Sequence, residues 1–289
     1  MALTQEQLTG RAVNVGGSES SVAIGLNPYE SSVELWLKKR GELPEFAGNE
    51  PTKWGQRLEP LVRQEYAEQT GRVVRLPYHT LVHPKHDWMV CHPDGVTDDG
   101  RLYEGKTARF ADGWGAPGTD EVPEQYIIQV QHNMLVMALP IADLAVLIGG
   151  SEFRLYTIVA DRQLQESIVE AEHEFLQHVL KGTRPAVDYS SPGVMGVLTK
   201  LYPGTDGRTL LATPEIEKHR KALDTAKATE KFAESVAKES KAHLLDFMGE
   251  ASALRFADGK ALRRKQIDRA GYSVGPTSYV DARFVNIKG

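Results

Sequence analysis

Residues 92–106 read HPDGVTDDGRLYEGK, opening on His92-Pro93-Asp94-Gly95 and closing on Leu102-Tyr103-Glu104-Gly105-Lys106. Trp88–His92 and Leu102–Lys106 read as strands, and Asp98-Asp99-Gly100 between them is a hairpin-turn signal. Side chains two apart on a strand share a face, so Glu104 and Lys106 point together. Asp94 falls where the first strand ends, in a Pro-Asp-Gly turn. A short hairpin thus gathers two carboxylates and one ammonium. The carboxylates of Asp94 and Glu104, with the backbone carbonyl of Gly105, form an oxygen donor set for Mg2+ that leaves room for water and phosphate. Such an ion lowers the pKa of bound water and stabilises charge building on a phosphate. Lys106 would orient that water or help deprotonate it. The chemistry this grouping suits is phosphodiester hydrolysis. Taken alone, the pattern also describes an exposed hairpin with ordinary surface charges.

The flanks place this hairpin in an α/β domain. Residues 18–40 predict two helical pieces broken at Asn27-Pro28. Over 53–70, Leu58, Leu61, Val62 and Tyr66 recur at helical spacing, and Gly71 sits where a C-terminal cap belongs. Strands are expected at Val73–Leu76 and Thr80–His83, a loop over 109–122, a helix over 123–138, strands at 142–149 and 152–159, and a helix over 161–182. Turn formers crowd 187–212. A boundary is therefore expected there, with residues 1–190 as the main domain, 191–212 as a linker and 213–289 as an extension. Thr213-Pro214 opens a long helix to about Met248. A hairpin turning at Asp258-Gly259 follows, then a final strand in TSYVDARFVNI.

Composition bounds the answer without choosing it. The chain has 289 residues, 41% hydrophobic and 25% charged, with a net charge of −5. That charge argues mildly against a protein that coats nucleic acid through bulk positive charge, but an acidic metal site is compatible with it. The single cysteine, Cys91, excludes an intramolecular disulfide, a four-cysteine zinc site and an iron-sulfur cluster. No apolar stretch is long enough to span a bilayer, and the start lacks the pattern of a signal peptide, so a cytoplasmic setting is expected. His79, His83 and His86 lack the geometry of a zinc site. Gly16-Gly17-Ser18 lacks the lysine of a P-loop.

Several further motifs occur in a fixed order: Arg11 with Ser18-Glu19, Trp54-Gly55 with Glu59, Pro93-Asp94-Gly95, Glu104-Gly105-Lys106, and Tyr126-Ile127-Ile128-Gln129-Val130-Gln131. In this order the chain resembles the YqaJ-like viral recombinase family, to which the lambda-type exonucleases belong, within the PD-(D/E)XK nucleases. The likeness covers residues 8–185. It implies a restriction-endonuclease-like core, a mixed central sheet flanked by helices, with the long helix and hairpin as a C-terminal extension. It further implies that Asp94 and Glu104 ligate the metal, that Lys106 is the catalytic lysine, and that Glu59 completes the metal site through water. Gln129 would meet the lysine or a phosphate. Arg11 and Ser18 would hold a 5′-terminal phosphate, with His92 and Gln131 as further DNA contacts. Ser18 opens a helix, where free N–H groups favour an anion.

Simpler readings stand beside these. Glu59 could be a solvated helix residue, Ser18 an N-cap, and Gln129 a core hydrogen-bond partner. The resemblance implies a 5′-to-3′ exonuclease on linear duplex DNA, using two Mg2+ ions for which Mn2+ can substitute. It would act in a bacterial host as a phage or prophage protein, assemble as a homo-oligomer, and leave 3′ tails for a single-strand annealing protein. The rivals are a nuclease of other polarity or endonuclease action, and a DNA-binding scaffold without catalysis. The extension is net positive, with Lys260, Arg263, Arg264, Lys265 and Arg269 clustered. It reads equally as a DNA contact, a partner or subunit contact, or a solvated surface.

Overall fold

The computed structural model describes residues 13–44, 47–77 and 79–264. Arg11, Lys265, Arg269 and the expected final strand lie outside them. The chain divides into two compact units, Met1–Tyr202 and Pro203–Gly289. The division falls inside the stretch read as a linker, and that stretch also carries a helix, Val194–Leu201, whose Val197 is buried in the core of the first unit.

The first unit is a mixed α/β structure. Its strands are β1 (Val15–Gly16), β2 (Val74–Arg75), β3 (Leu81–Val82), β4 (Met89–Cys91), β5 (Gly95–Thr97), β6 (Leu102–Ala108), β7 (Ile141–Ile148) and β8 (Glu152–Val159). Its helices are α1 (Gly17–Ala23), α2 (Ser32–Lys39), α3 (Glu50–Thr70), α4 (Glu124–Met137), α5 (Arg162–Lys181) and α6 (Val194–Leu201). The larger sheet runs β2-β5-β6-β7-β8, with β6 and β7 parallel and the other pairs antiparallel. A parallel pair needs a crossover, and α4 supplies it. The smaller sheet runs β1-β4-β3.

Alternation along β6 and β7 sorts the core into two layers. Leu102, Ala142, Leu144, Val146 and Ile148 pack with Val130 and Met134 of α4, while Tyr103 and Ala145 pack with Val62 and Tyr66 of α3. Tyr66 also donates to Asp143 Oδ2 at 2.7 Å, which pins α3 to the sheet. On α4, His132 is fully buried, with Nδ1 2.8 Å from Glu172 and Nε2 2.9 Å from the Val90 carbonyl, so α4, α5 and the smaller sheet share one polar brace. Gly71 ends α3 in the left-handed region, φ 72°, as its place in the sequence requires.

The hairpin differs from its expected form. The partner of β6 is Gly95–Thr97, whereas Met89–Cys91 belongs to the smaller sheet. Pro93 has no N–H to donate, so the chain changes sheets there. Gly95 makes the new pairing possible: a Cβ on it would lie 2.2 Å from Val74 Cγ1 and 3.3 Å from the Arg75 carbonyl. Gly95→Ala should therefore destabilise the unit by about 1–3 kcal/mol, read as a lower urea midpoint at unchanged m-value. A midpoint equal to wild type would show that β2 yields freely.

In the second unit, α7 (Pro214–Met248) is capped by the Thr213 side chain, and β9 (Ala253–Arg255) pairs antiparallel with β10 (Ala261–Arg263). Arg255, Lys260, Arg263 and Arg264 lie on or beside this hairpin.

Candidate active site

Glu104 and Lys106 sit on the face of β6 that looks at α4. Tyr126, Gln129 and Asn133 recur at helical spacing along α4 and meet them there. Lys106 Nζ donates to Glu104 Oε1 at 2.7 Å and to Gln129 Oε1 at 3.1 Å, while Gln129 Nε2 donates to Glu104 Oε1 at 2.7 Å. Asn133 Nδ2 approaches the other oxygen, Glu104 Oε2, at 3.4 Å. The Lys106 ammonium also lies 5.2 Å from the Tyr126 ring centre, and that ring stacks on Trp114 at 5.5 Å.

Asp94 arrives from the opposite edge. β5 begins at Gly95, opposite Tyr103, so the β6 backbone beyond Tyr103 lacks a strand partner on that side. The Asp94 carboxylate takes its place, accepting from the Gly105 N–H at 2.9 Å. In a strand the N–H and C=O of one residue point the same way, so the Gly105 carbonyl faces the same opening.

Electrostatics tie the acids together. Burial, then the nearby charge of Asp94, push the Glu104 carboxyl up to about 7, with Lys106 offsetting part of the effect. Burial lowers the Lys106 ammonium, but Glu104 and Asp94 outweigh this and hold it above its ordinary value. Glu59 on α3 is also raised, by partial burial and then by Asp94, although Arg63 stands 3.6 Å away. Cys91, expected to be a core residue, is fully buried, and burial followed by Glu104 pushes its thiol up to about 12, so no reactive thiol operates here.

A sign follows for pH. With its folded value above the ordinary 4.5, native Glu104 keeps a proton that the unfolded chain has lost. Metal-free stability should therefore fall as pH rises from about 4.5 through about 7. A cation binding at Glu104 must displace that proton. Affinity for Mg2+ or Mn2+ should thus drop up to ~10-fold per pH unit below about 7 and level off above it. Calorimetric titration across this range measures it, and a flat profile would remove Glu104 from the ligand set.

The donor set fits a hard divalent cation. Among the described residues no three His, Cys, Asp or Glu side chains converge as a cluster. Two carboxylates and a backbone carbonyl suit an ion that keeps several of its waters.

The remaining expected residues scatter. Ser18 is exposed and lines a cleft of about 830 Å³ together with Asn49, Thr107, Arg109 and Tyr126. The α1 cap is taken by Glu19, which accepts from the Gly16 N–H at 3.1 Å and pairs with Lys39 at 2.9 Å. His92 hydrogen-bonds Thr80 at 2.6 Å. Gln131 must be corrected: it is buried, bonded to the Val159 carbonyl, the Asp161 N–H and Gln165, and contacts no open surface suited to DNA. Two residues from Gln129 on a helix means the far side. Asn133 and Tyr126 were assigned no role from sequence, although their spacing from Gln129 was the signal. Arg109 was missed too, three residues beyond Lys106.

Residues 7–140 match the model of the YqaJ-like viral recombinase domain. The chain is 36% identical over 193 residues to the uncharacterized protein YqaJ of Bacillus subtilis (strain 168), covering 64% of this chain and 60% of that protein's length. It is also similar to the crystal structure of an alkaline exonuclease, LHK-Exo, from Laribacter hongkongensis, with TM-score 0.50 and 22% identity over 62% of this chain and 94% of that one. The same figures hold for LHK-Exo in complex with dAMP. At that identity the likeness shows the fold, which is of the PD-(D/E)XK type. In the matched region, and in the order in which it carries these motifs, the chain is similar to the YqaJ-like viral recombinase domain.

Proposed function

We propose that this protein is a metal-dependent exonuclease that degrades linear duplex DNA from its ends. The observation that carries the reading is the Glu104 carboxylate, buried between Lys106 and Gln129 and electrostatically coupled to Asp94. A pure binding surface gains nothing from burying acids that repel each other.

Asp94, Glu104 and the Gly105 carbonyl would hold Mg2+, or Mn2+ in its place, with Glu59 reaching a second ion through water. The ion supplies an activated water and stabilises the charge on the phosphate. Lys106, kept as an ammonium by its neighbours, donates: it orients the attacking water and offsets charge at the scissile phosphate. Gln129 fixes both partners of that pair. Ser18 and Arg109 line the cleft beside this site, where a 5′-phosphate would lodge, with Arg11 as the further cation the family resemblance implies. LHK-Exo is named an alkaline exonuclease and is seen with dAMP, which favours mononucleotides as products. The 5′-to-3′ polarity, assembly as a homo-oligomer, delivery of 3′ tails to an annealing protein and action in the bacterial cytoplasm complete the proposal. No helix among the described residues is long and apolar enough to cross a membrane.

The test is incubation with linear duplexes ending in 5′-phosphate or 5′-hydroxyl, and with closed circles, in Mg2+ or EDTA. Expected are mononucleotides from linear DNA only, faster from phosphorylated ends and absent in EDTA. Nicking of closed circles would replace the exonuclease reading with an endonuclease. DNA binding without cleavage under any divalent ion would leave a scaffold.

A further inference from the structure

We infer that Asn133 is a positioning residue for Glu104, and that Gly17 is the seat that holds it in place; this rests on the nuclease reading above. Asn133 lies one turn beyond Gln129 on α4 and is almost wholly buried. Its Nδ2 points to Glu104 Oε2 at 3.4 Å. The two carboxylate oxygens are thereby shared out: Oε1 goes to Lys106 and Gln129, and Oε2 to Asn133. With a donor on each side, the carboxylate plane is fixed. Gln129 alone would leave it free to rotate about its last bond.

The other end of the amide shows how closely it is held. A Cβ built on Gly17 would stand 2.0 Å from Asn133 Oδ1 and 2.9 Å from its Cγ. Only a glycine lets the first turn of α1 close over this side chain. Oδ1 itself is buried without a hydrogen-bond partner, a cost that an apolar residue at 133 would not carry. A position that serves packing alone has no use for that arrangement. One that needs a donor aimed at Glu104 accepts it. The same turn of α1 continues into Ser18 on the cleft wall, so Gly17 links the cleft to the carboxylate through one side chain.

The experiment is a double-mutant cycle on the full chain: wild type, Asn133→Ala, Gly17→Ala and the double variant. Each is examined by Mn2+ titration, by thermal melting without metal, and by kcat and KM on linear DNA. Asn133→Ala should weaken Mn2+ binding and lower kcat by about 10-fold each, with KM for DNA unchanged. Gly17→Ala should do the same, because its methyl displaces the amide. The double variant should match Asn133→Ala in Mn2+ affinity and kcat, and Gly17→Ala should cost less thermal stability in the Asn133→Ala background than in wild type. Should Asn133→Ala fail to fold, Asn133→Ser, which keeps a shorter donor, takes its place and should lose less affinity than Gly17→Ala. Wild-type affinity and kcat in Asn133→Ala, beside an active wild type, would overturn this inference and leave the nuclease reading intact. Additive effects of the two substitutions would overturn the link through Gly17. A wild type that neither binds Mn2+ nor cleaves would bring down the nuclease reading and this one with it.

Discussion

Lys106→Ala should reduce the single-turnover cleavage rate by about 10²- to 10³-fold, the loss of roughly 3–4 kcal/mol of transition-state stabilisation. The ammonium is held by Glu104 at 2.7 Å and Gln129 at 3.1 Å and packed toward the Tyr126 ring, so its position is set before any substrate arrives. Removing it leaves the Glu104 carboxylate with carboxamide donors alone. DNA affinity should change little, since the effect is local to the reacting phosphate. The substitution Lys106→Arg should not restore the rate, because a planar fork cannot occupy the place of a point-like ammonium between two acceptors. The measurement is release of an end label with enzyme in excess. A Lys106→Ala rate within about fivefold of wild type would remove the residue from the chemistry.

Asp94→Asn should separate function from stability. The amide oxygen can still accept from the Gly105 N–H, so the edge of β6 keeps its partner. The negative charge is lost, and with it one of the causes that raise Glu104 and Glu59. Metal affinity and cleavage should collapse, with the rate down by about 10³-fold. Metal-free stability near pH 8 should change little, since the relief at Glu104 is offset by the lost attraction of Asp94 for Lys106. Denaturant unfolding in EDTA gives the stability and metal titration gives the affinity. A variant that loses stability while keeping its metal would make Asp94 a structural residue.

Much of this was legible in the sequence, for reasons that differ by residue. Glu104 and Lys106 could be placed because strand periodicity forces them to one face. The helix over 123–138 was visible in the sequence, whereas Gln129 was set opposite them only through the family resemblance. The strand at Gly95–Thr97 escaped because three residues opening on a glycine carry almost no strand signal. Its pairing depends on a contact with Val74 that is distant in sequence. Gln131 was misassigned because a motif read along the chain does not say which side of a helix each member takes. Asn133 escaped for the converse reason: its partner Glu104 and its seat Gly17 come from two other parts of the chain. Ser18 was named in the sequence through family likeness and its place at a helix start, and Arg109, which lines the same cleft, stood beyond the quoted motif.

The stacking of Trp114 on Tyr126 gives the site an optical handle. The indole lies one ring away from the Lys106 ammonium and also packs against Tyr156 at 5.5 Å, so it is held within the core. Any event that pulls the Lys106 charge toward a phosphate alters the field at that indole. Occupancy of the proposed site should thus be open to intrinsic fluorescence, on unlabelled protein, in the same cuvette as a cleavage assay.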